Sequence, residues 1–368
     1  MNTQYQINTF IQLTTQKIKE SLSSKRKNIA IVSYYPTYRS NYGNLITELK
    51  KDYNVITIVD RILNDDFEKS AHANFHFPWR IIDGETHYYL NTDIPKIDLI
   101  ITADQVGYQG GKIDRTFLSK KAKRVYLPHR LTTDCGVSDN IDYIIVPSKT
   151  AMQEFKLKTS KMKVKLLPCG YPQFDVTLKN YHYTPANTIT YAPTLRYVDT
   201  RYSNLNAYAG FDCNMIEWLL ENTQYNISYR SHPINYTNNH LFHQQIKAQF
   251  QNEPRVTFDR EMGNKFFNFS DYLVTDWSTT AFTYSYATLR PSFFFMPFPL
   301  NKDLKRGGYI IEKQNSHNFA ELKHKLDSID FESQKTFFKK LRNTNIYNAG
   351  TSCQAIKEQI DLILEGKK

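Results

Sequence analysis

The chain has 368 residues, more than the roughly 250–300 at which a single hydrophobic core stops growing, so two domains are expected. With 40% hydrophobic and 14% aromatic residues, disorder is excluded. No apolar run approaches the roughly 20 residues of a membrane span, and Met1–Thr9 lacks the cationic start and apolar run of a secretory signal. A net charge of +11 and a pI near 9.2 predict a surface that attracts polyanions, whether nucleic acid, anionic lipid or a phosphate-bearing substrate.

Residues 1–27 place Ile7, Phe10, Ile11, Ile18 and Leu22 at roughly helical spacing and end in Lys25, Arg26 and Lys27. That is a basic amphipathic helix, fit to pack on its own protein or to lie on anionic lipid. From Asn28 the pattern changes to short apolar runs, Ile29–Ser33, Val55–Val59, Leu99–Thr102, Val125–Leu127 and Tyr143–Val146, which read as parallel strands buried on both faces. A helix-like connection at Asn44–Lys51 makes the first two a β-α-β unit. Two basic runs fall in this half: Lys120, Lys121, Lys123 and Arg124, and a denser one of Lys156, Lys158, Lys161, Lys163 and Lys165. The second is expected to be either a solvated face or a side turned to the acceptor or membrane, together with Arg130.

A polar stretch at Lys179–Asn187 reads as a linker, after which the alternation restarts. Strands are expected at Ile189–Tyr191, Ile227–Tyr229, Val256–Phe258, Tyr272–Val274 and Ser292–Phe295, and helices at Met215–Glu221, Leu241–Phe250, Gly263–Asn268 and Thr280–Ala287. Ser316–Leu364 reads as helices alone. The fold class predicted is α/β, two facing Rossmann-like domains with a helical C-terminal tail: an N-terminal domain over 28–183, a second over 184–330, and helices over 331–368 that pack back on the first domain. Cys135, Cys169, Cys213 and Cys353 lie far apart without Cys-x-x-Cys spacing, so buried reduced thiols are expected rather than zinc or disulfides.

Open α/β sheets bind ligands beyond the carboxyl ends of their strands, so the loops there are the candidates for chemistry. After the strand at Ile189 comes Ala192-Pro193-Thr194-Leu195-Arg196, whose arginine can fork onto a phosphate or make an ordinary salt bridge. After Ile227–Tyr229 comes Arg230-Ser231-His232-Pro233, a cation, a hydroxyl and an imidazole able to exchange a proton near neutrality. After Tyr272–Val274 comes Asp276-Trp277-Ser278-Thr279-Thr280, at the start of a helix. Unpaired N–H groups and the helix dipole make that place an anion site, whereas plain N-capping accounts for only one of the three hydroxyls. In the first half, Leu127-Pro128-His129-Arg130 ends a strand, and His129 is the natural counterpart of His232.

Taken in order, these pieces, with Pro291 and Tyr347-Asn348-Ala349-Gly350-Thr351-Ser352, resemble the CDP-glycerol glycerophosphotransferase family of teichoic-acid primases, polymerases and capsule relatives. The resemblance covers about the last half of the chain. It implies a GT-B fold with the CDP end of the donor on the C-terminal domain. It also implies His129 as catalytic base, His232 as a second catalytic residue, and Arg196, Arg230, Ser278 and Thr279 gripping the diphosphate within a donor-binding set that also holds Thr194, Ser231, Pro233, Asp276, Trp277 and Thr280. The family's glycine after the first histidine is Arg130 here, and its Asp-Tyr-Ser-Ser is Asp276-Trp277-Ser278-Thr279.

The function expected on that basis is transfer of glycerol phosphate, or a related polyol phosphate, from a CDP-linked donor to a hydroxyl of a cell-envelope polymer or lipid-linked acceptor. The enzyme would be cytoplasmic and peripheral on the inner face of the membrane, with no metal required and a Mg²⁺ ion on the donor still compatible. The alternatives are a GT-B glycosyltransferase using a CMP- or UDP-sugar and a basic nucleic-acid-binding protein. Against the latter, the aromatics do not interleave with the lysine runs, so nucleic acid is not an expected partner.

Overall fold

The computed structural model describes residues 3–33, 40–60, 75–77, 79–82, 85–88, 92–103, 117–131, 137, 140–194, 196, 211–232, 241–259, 263–276, 278–296 and 315–367. The chain divides into two compact units, Met1–Val176 with Ile346–Lys368, and Thr177–Asn345.

The first unit opens with α1 (Thr3–Ser21), which sends Ile18 into the core. Its sheet contains β1 (Asn28–Ser33), β2 (Asn54–Asp60), β3 (Phe75–Phe77), β6 (Leu99–Thr102), β7 (Lys123–Tyr126), β8 (Tyr143–Val146) and β9 (Lys165–Pro168). They pair in parallel in the order β3-β2-β1-β6-β7-β8-β9, while β4 (Trp79–Ile82) and β5 (Glu85–Tyr88) form a separate antiparallel pair. Every residue of β1, β6 and β8 is buried, which is why these strands read as continuous apolar runs rather than alternating ones. α2 (Leu45–Lys50) crosses from β1 to β2 with Leu45, Ile46 and Leu49 turned inward. α3 (Lys149–Lys158) starts where the Ser148 hydroxyl accepts the Ala151 N–H, and buries Ala151 and Phe155. α4 (Pro172–Asn180) carries the chain across the unit boundary. The run Lys120–Arg124 is not uniformly surface: Arg124 is fully buried, with Nη2 donating to the carbonyls of Phe117 at 2.9 Å and Ser119 at 3.2 Å.

The second unit has a parallel sheet of β10 (Thr188–Tyr191), β11 (Asn226–Tyr229), β12 (Val256–Phe258), β13 (Tyr272–Thr275), β14 (Ser292–Phe295) and β15 (Asn315–Ser316), ordered β12-β11-β10-β13-β14-β15. Its helices are α5 (Phe211–Asn222), α6 (Leu241–Phe250), α7 (Thr280–Thr288), α8 (Phe319–Asp327) and α9 (Phe331–Asn345). The stretch around Gly263–Asn268 forms a short 3-10 turn, Lys265–Asn268. α7 is buried at Ala281, Phe282 and on from Tyr284 to Thr288, as befits a helix without a polar face.

The tail does not behave as one piece. α9 stays with the second unit, because Phe331 stacks on Tyr272 with ring centroids 5.6 Å apart, Phe338 is fully buried, and Arg342 Nη1 donates to the Tyr286 carbonyl at 3.3 Å. Only from Ile346, which bridges Ser148, does the chain return to the first unit, where α10 (Ser352–Leu364) buries Ile356, Ile360 and Ile363.

Candidate active site

In an open parallel sheet the ligand crevice lies where the strand order reverses. In the second unit β10, β11 and β12 run to one side and β13, β14 and β15 to the other, so the reversal falls between β10 and β13. The two strands leave the sheet side by side. Ala192 N donates to the Val274 carbonyl at 2.9 Å, and Thr275 Oγ1 to the Ala192 carbonyl at 2.6 Å.

Beyond that point a buried charge cluster joins the loops. Thr194 N donates to Asp276 Oδ1 at 2.9 Å, and Arg196 Nη1 to Asp276 Oδ2 at 2.6 Å. The rest of the Arg196 guanidinium is directed to Asp212, with Nε on Oδ2 at 3.1 Å and Nη2 on Oδ1 at 2.5 Å. Tyr191 donates its hydroxyl to the same carboxylate at 2.6 Å. Arg196 is 3% exposed, Asp276 3% and Asp212 0%. Burial alone would lower the Arg196 guanidinium, but Asp276 and Asp212 outweigh it and hold the group above its ordinary value, so it stays cationic. Burial, reinforced by Asp212, pushes the Tyr191 hydroxyl well up, so it stays a donor. The sequence left Arg196 either a phosphate fork or a salt bridge; within the protein its guanidinium forks onto two carboxylates. Asp212 was not among the expected residues; an acid in the first turn of a helix is ordinary dipole complementation, and nothing in its local sequence distinguishes it.

Arg230 is also matched within the protein. Nη1 pairs with Asp259, Nη2 donates to the Gly263 carbonyl at 2.7 Å, and the guanidinium lies 4.4 Å from the centre of the Phe266 ring. It ties the end of β11 to the loop after β12. Ser231 is buried; His232 follows, half-buried. Pro233 and Trp277 lie outside the described residues.

The start of α7 is different in character. Thr279 occupies the N-cap position with helical backbone angles and makes no side-chain cap. Ser278 Oγ accepts the Thr280 N–H at 3.4 Å, a long bond. Among the described residues no hydrogen bond engages the hydroxyls of Thr279 and Thr280, and Ser278, Thr279 and Thr280 are all half-buried. The N–H groups of Ala281 and Phe282 meet the carbonyls of Ser278 and Thr279, each at 3.2 Å, so it is the hydroxyls that stand at the positive end of the helix dipole, next to the strand-order reversal.

In the first unit His129 and Arg130 follow β7, both half-buried, on a loop fixed by Leu127 N donating to the Thr102 carbonyl at 2.8 Å. Lys156, Lys158, Lys161 and Lys163 are exposed around the end of α3, and Leu157 among them is 78% exposed. Among the described residues no helix is long and apolar enough to cross a membrane.

The family model described as CDP-Glycerol:Poly(glycerophosphate) glycerophosphotransferase matches residues 116–354. The solved wall teichoic acid polymerase TagF is similar over 99% of this chain and 95% of its own, with a TM-score of 0.56 at 16% identity. A UDP-GlcNAc 2-epimerase from Methanocaldococcus jannaschii, solved with UDP-GlcNAc and UDP, gives 0.55 at 12% identity over 91% of this chain and 99% of its own. At these identities the likeness carries the fold, which is GT-B-like with two Rossmann-like units and C-terminal helices. No match was found among curated proteins.

Proposed function

The chain belongs to the CDP-glycerol:poly(glycerophosphate) glycerophosphotransferase family of enzymes, and from that premise we propose that it moves glycerol phosphate from CDP-glycerol to a hydroxyl of a cell-envelope polymer or lipid-linked acceptor. The observation that carries this reading is the start of α7, where Thr279 makes no side-chain cap and the hydroxyls of Ser278, Thr279 and Thr280 stand beside the β10–β13 reversal. An anionic diphosphate is the ligand such a place suits. A TagF structure obtained from crystals soaked with CDPG supports the same choice of donor.

In the proposed step His129 takes the proton of the acceptor hydroxyl. The acceptor oxygen then forms a bond to the glycerol-bearing phosphorus, and the bond from that phosphorus to the bridging oxygen breaks, leaving CMP with the electron pair. The donors at α7 stabilise the charge spread over the phosphates, the main task in phosphoryl transfer. His232, beside Ser231 at the end of β11, is the second catalytic residue. Thr194, Arg196, Arg230 and Asp276 shape the floor of the donor site. The step requires no metal, and activity retained in EDTA is the expected result.

The exposed lysines around α3, with Leu157 among them, are proposed to rest on the anionic inner face of the cell membrane. Vesicles with and without acidic lipid test this by co-sedimentation. The donor itself is tested by incubating the protein with CDP-glycerol, CMP-sugars and UDP-sugars in turn and measuring the nucleotide released. CMP from CDP-glycerol is the expected product; release of UDP, or of CMP only from a CMP-sugar, replaces this reading with a glycosyltransferase.

A further inference from the structure

We infer that Asp212 is a positioning residue for the transfer reaction, one that holds Arg196 and, through Arg196 and Asp276, sets the start of α7 against the loop after β10. The inference rests on the donor site proposed above. Asp212 comes from a third element, the first turn of α5, and meets the loop after β10 at Arg196. Its two oxygens take Nε and Nη2 of Arg196, so the guanidinium plane is fixed by a fork rather than by a single contact. With that plane fixed, Nη1 meets Asp276 Oδ2 while the other oxygen of Asp276 receives Thr194 N. Asp276 stands two residues before Ser278, so the orientation of its carboxylate bears on where the chain enters α7.

The arrangement is built rather than incidental. A buried charge without a partner is strongly unfavourable, and all three ionic groups lie at or below 3% exposure. Without Asp212, two faces of the guanidinium would lose their acceptors, and Arg196 would be drawn toward water or toward an anionic ligand. The Tyr191 hydroxyl, from β10 itself, holds Asp212 in turn, so the cluster is anchored to the sheet.

Charge and position make opposite demands on a substitution here. The cluster has two carboxylates and one guanidinium, so Asp212→Asn removes a negative charge from the neighbourhood of an anion site. On charge alone the donor would then bind more tightly; on position alone it would bind more weakly. Position governs if the inference holds, because a small displacement of groups that orient a substrate costs up to about a hundredfold.

The experiment measures CDP-glycerol turnover and CDP affinity, by calorimetry, for wild type, Asp212→Asn, Arg196→Ala and the double variant. Asp212→Asn should raise the donor KM and the CDP Kd by about ten- to a hundredfold with the acceptor KM unchanged. Combined with Arg196→Ala it should add little, since both changes break one relay. A donor KM equal to wild type, a tighter one, or full additivity with Arg196→Ala overturns the inference. If Asp212→Asn does not fold, Tyr191→Phe removes only the hydroxyl that steadies Asp212 and should weaken CDP binding in the same direction; no change in that variant overturns the inference equally. Failure of wild type to bind CDP or use CDP-glycerol would strike at the donor site itself, an outcome the variants do not mimic.

Discussion

Asp175→Ala tests how the chain is fastened after its return to the first unit. At the start of α10 Thr351 supplies no side-chain cap. Asp175, from α4, does so instead, accepting Gly350 N at 2.7 Å, Ser352 N at 2.7 Å and Ser352 Oγ at 2.6 Å. Ser352 is fully buried, so truncation leaves two buried donors, each worth about 1–3 kcal/mol when unsatisfied. Loss of an acid at a helix N-terminus adds about 0.3–1 kcal/mol. Gly350 is exposed and rehydrates, and the Ser352 hydroxyl can rotate, so the lower half of the range applies, about 3 kcal/mol in all. For a unit of this size a kilocalorie moves Tm by about 2–4 °C, giving a drop of about 6–12 °C. Scanning calorimetry reads the drop, and amide exchange over Ser352–Leu364 should accelerate with it. Ser352→Ala, which keeps the N–H bond, should show a smaller effect in the same direction. A Tm for Asp175→Ala within about 2 °C of wild type would refute the reasoning, because it would mean that water replaces the carboxylate at no cost.

Replacing either histidine proposed as catalytic, His129→Ala or His232→Ala, should lower turnover by about 10²–10⁴ with Tm unchanged; near-normal rates in both defeat the assignment. Thr279→Val together with Ser278→Ala removes two hydroxyls while leaving the backbone, and should raise the donor KM by about tenfold or more without a comparable change in acceptor KM. Gly170 has φ +95°, and a Cβ there would lie 2.2 Å from the Tyr347 carbonyl oxygen. Gly170→Ala should therefore destabilise the first unit by about 3 kcal/mol or prevent folding, as judged by chemical denaturation. Burial, with the hydrogen bond to Asp271, pushes the Tyr183 hydroxyl from 10.0 up to about 12. The unfolded chain then ionises first, so stability from this group is complete below pH 10 and is lost as pH rises through about 12. Tyr183→Phe should flatten that alkaline loss relative to wild type, and an identical pH profile would contradict it.

The fold was legible wherever strands are buried on both faces. Leu99–Thr102, Tyr143–Val146 and Ser292–Phe295 appear with the bounds the apolar runs imply, and most of the others shift by a residue or two at their ends. Phe75–Phe77 and Asn315–Ser316 were not legible: each is held by one neighbour, and two or three residues give little period to read, although Val256–Phe258, as short and also at an edge, was read with its observed bounds. The division of the tail was equally hidden. α9 and α10 have similar amphipathic patterns, and what separates them is which surface Phe331, Phe338 and Arg342 meet, a fact of packing rather than of spacing.

At the site, residue types were legible and partners were not. The strand-end position of Arg196 and Arg230 marks them as loop-ordering or phosphate-binding cations, and sequence offers no means of choosing. The choice is made by Asp212 and Asp259, acids that lie 16 and 29 residues away in the chain and come close only once the sheet has formed. The Tyr347–Ser352 segment is similar: as a motif it invites a functional reading, whereas in the fold Gly350 and Ser352 serve as ligands for the Asp175 carboxylate. With both arginines matched by carboxylates, the hold on the proposed diphosphate would fall, among the described residues of the second unit, to the neutral hydroxyls at the start of α7. Neutral donors suit a transferase. They stabilise charge as it redistributes between bridging and terminal oxygens, and they release the nucleotide product more readily than a fixed cation would.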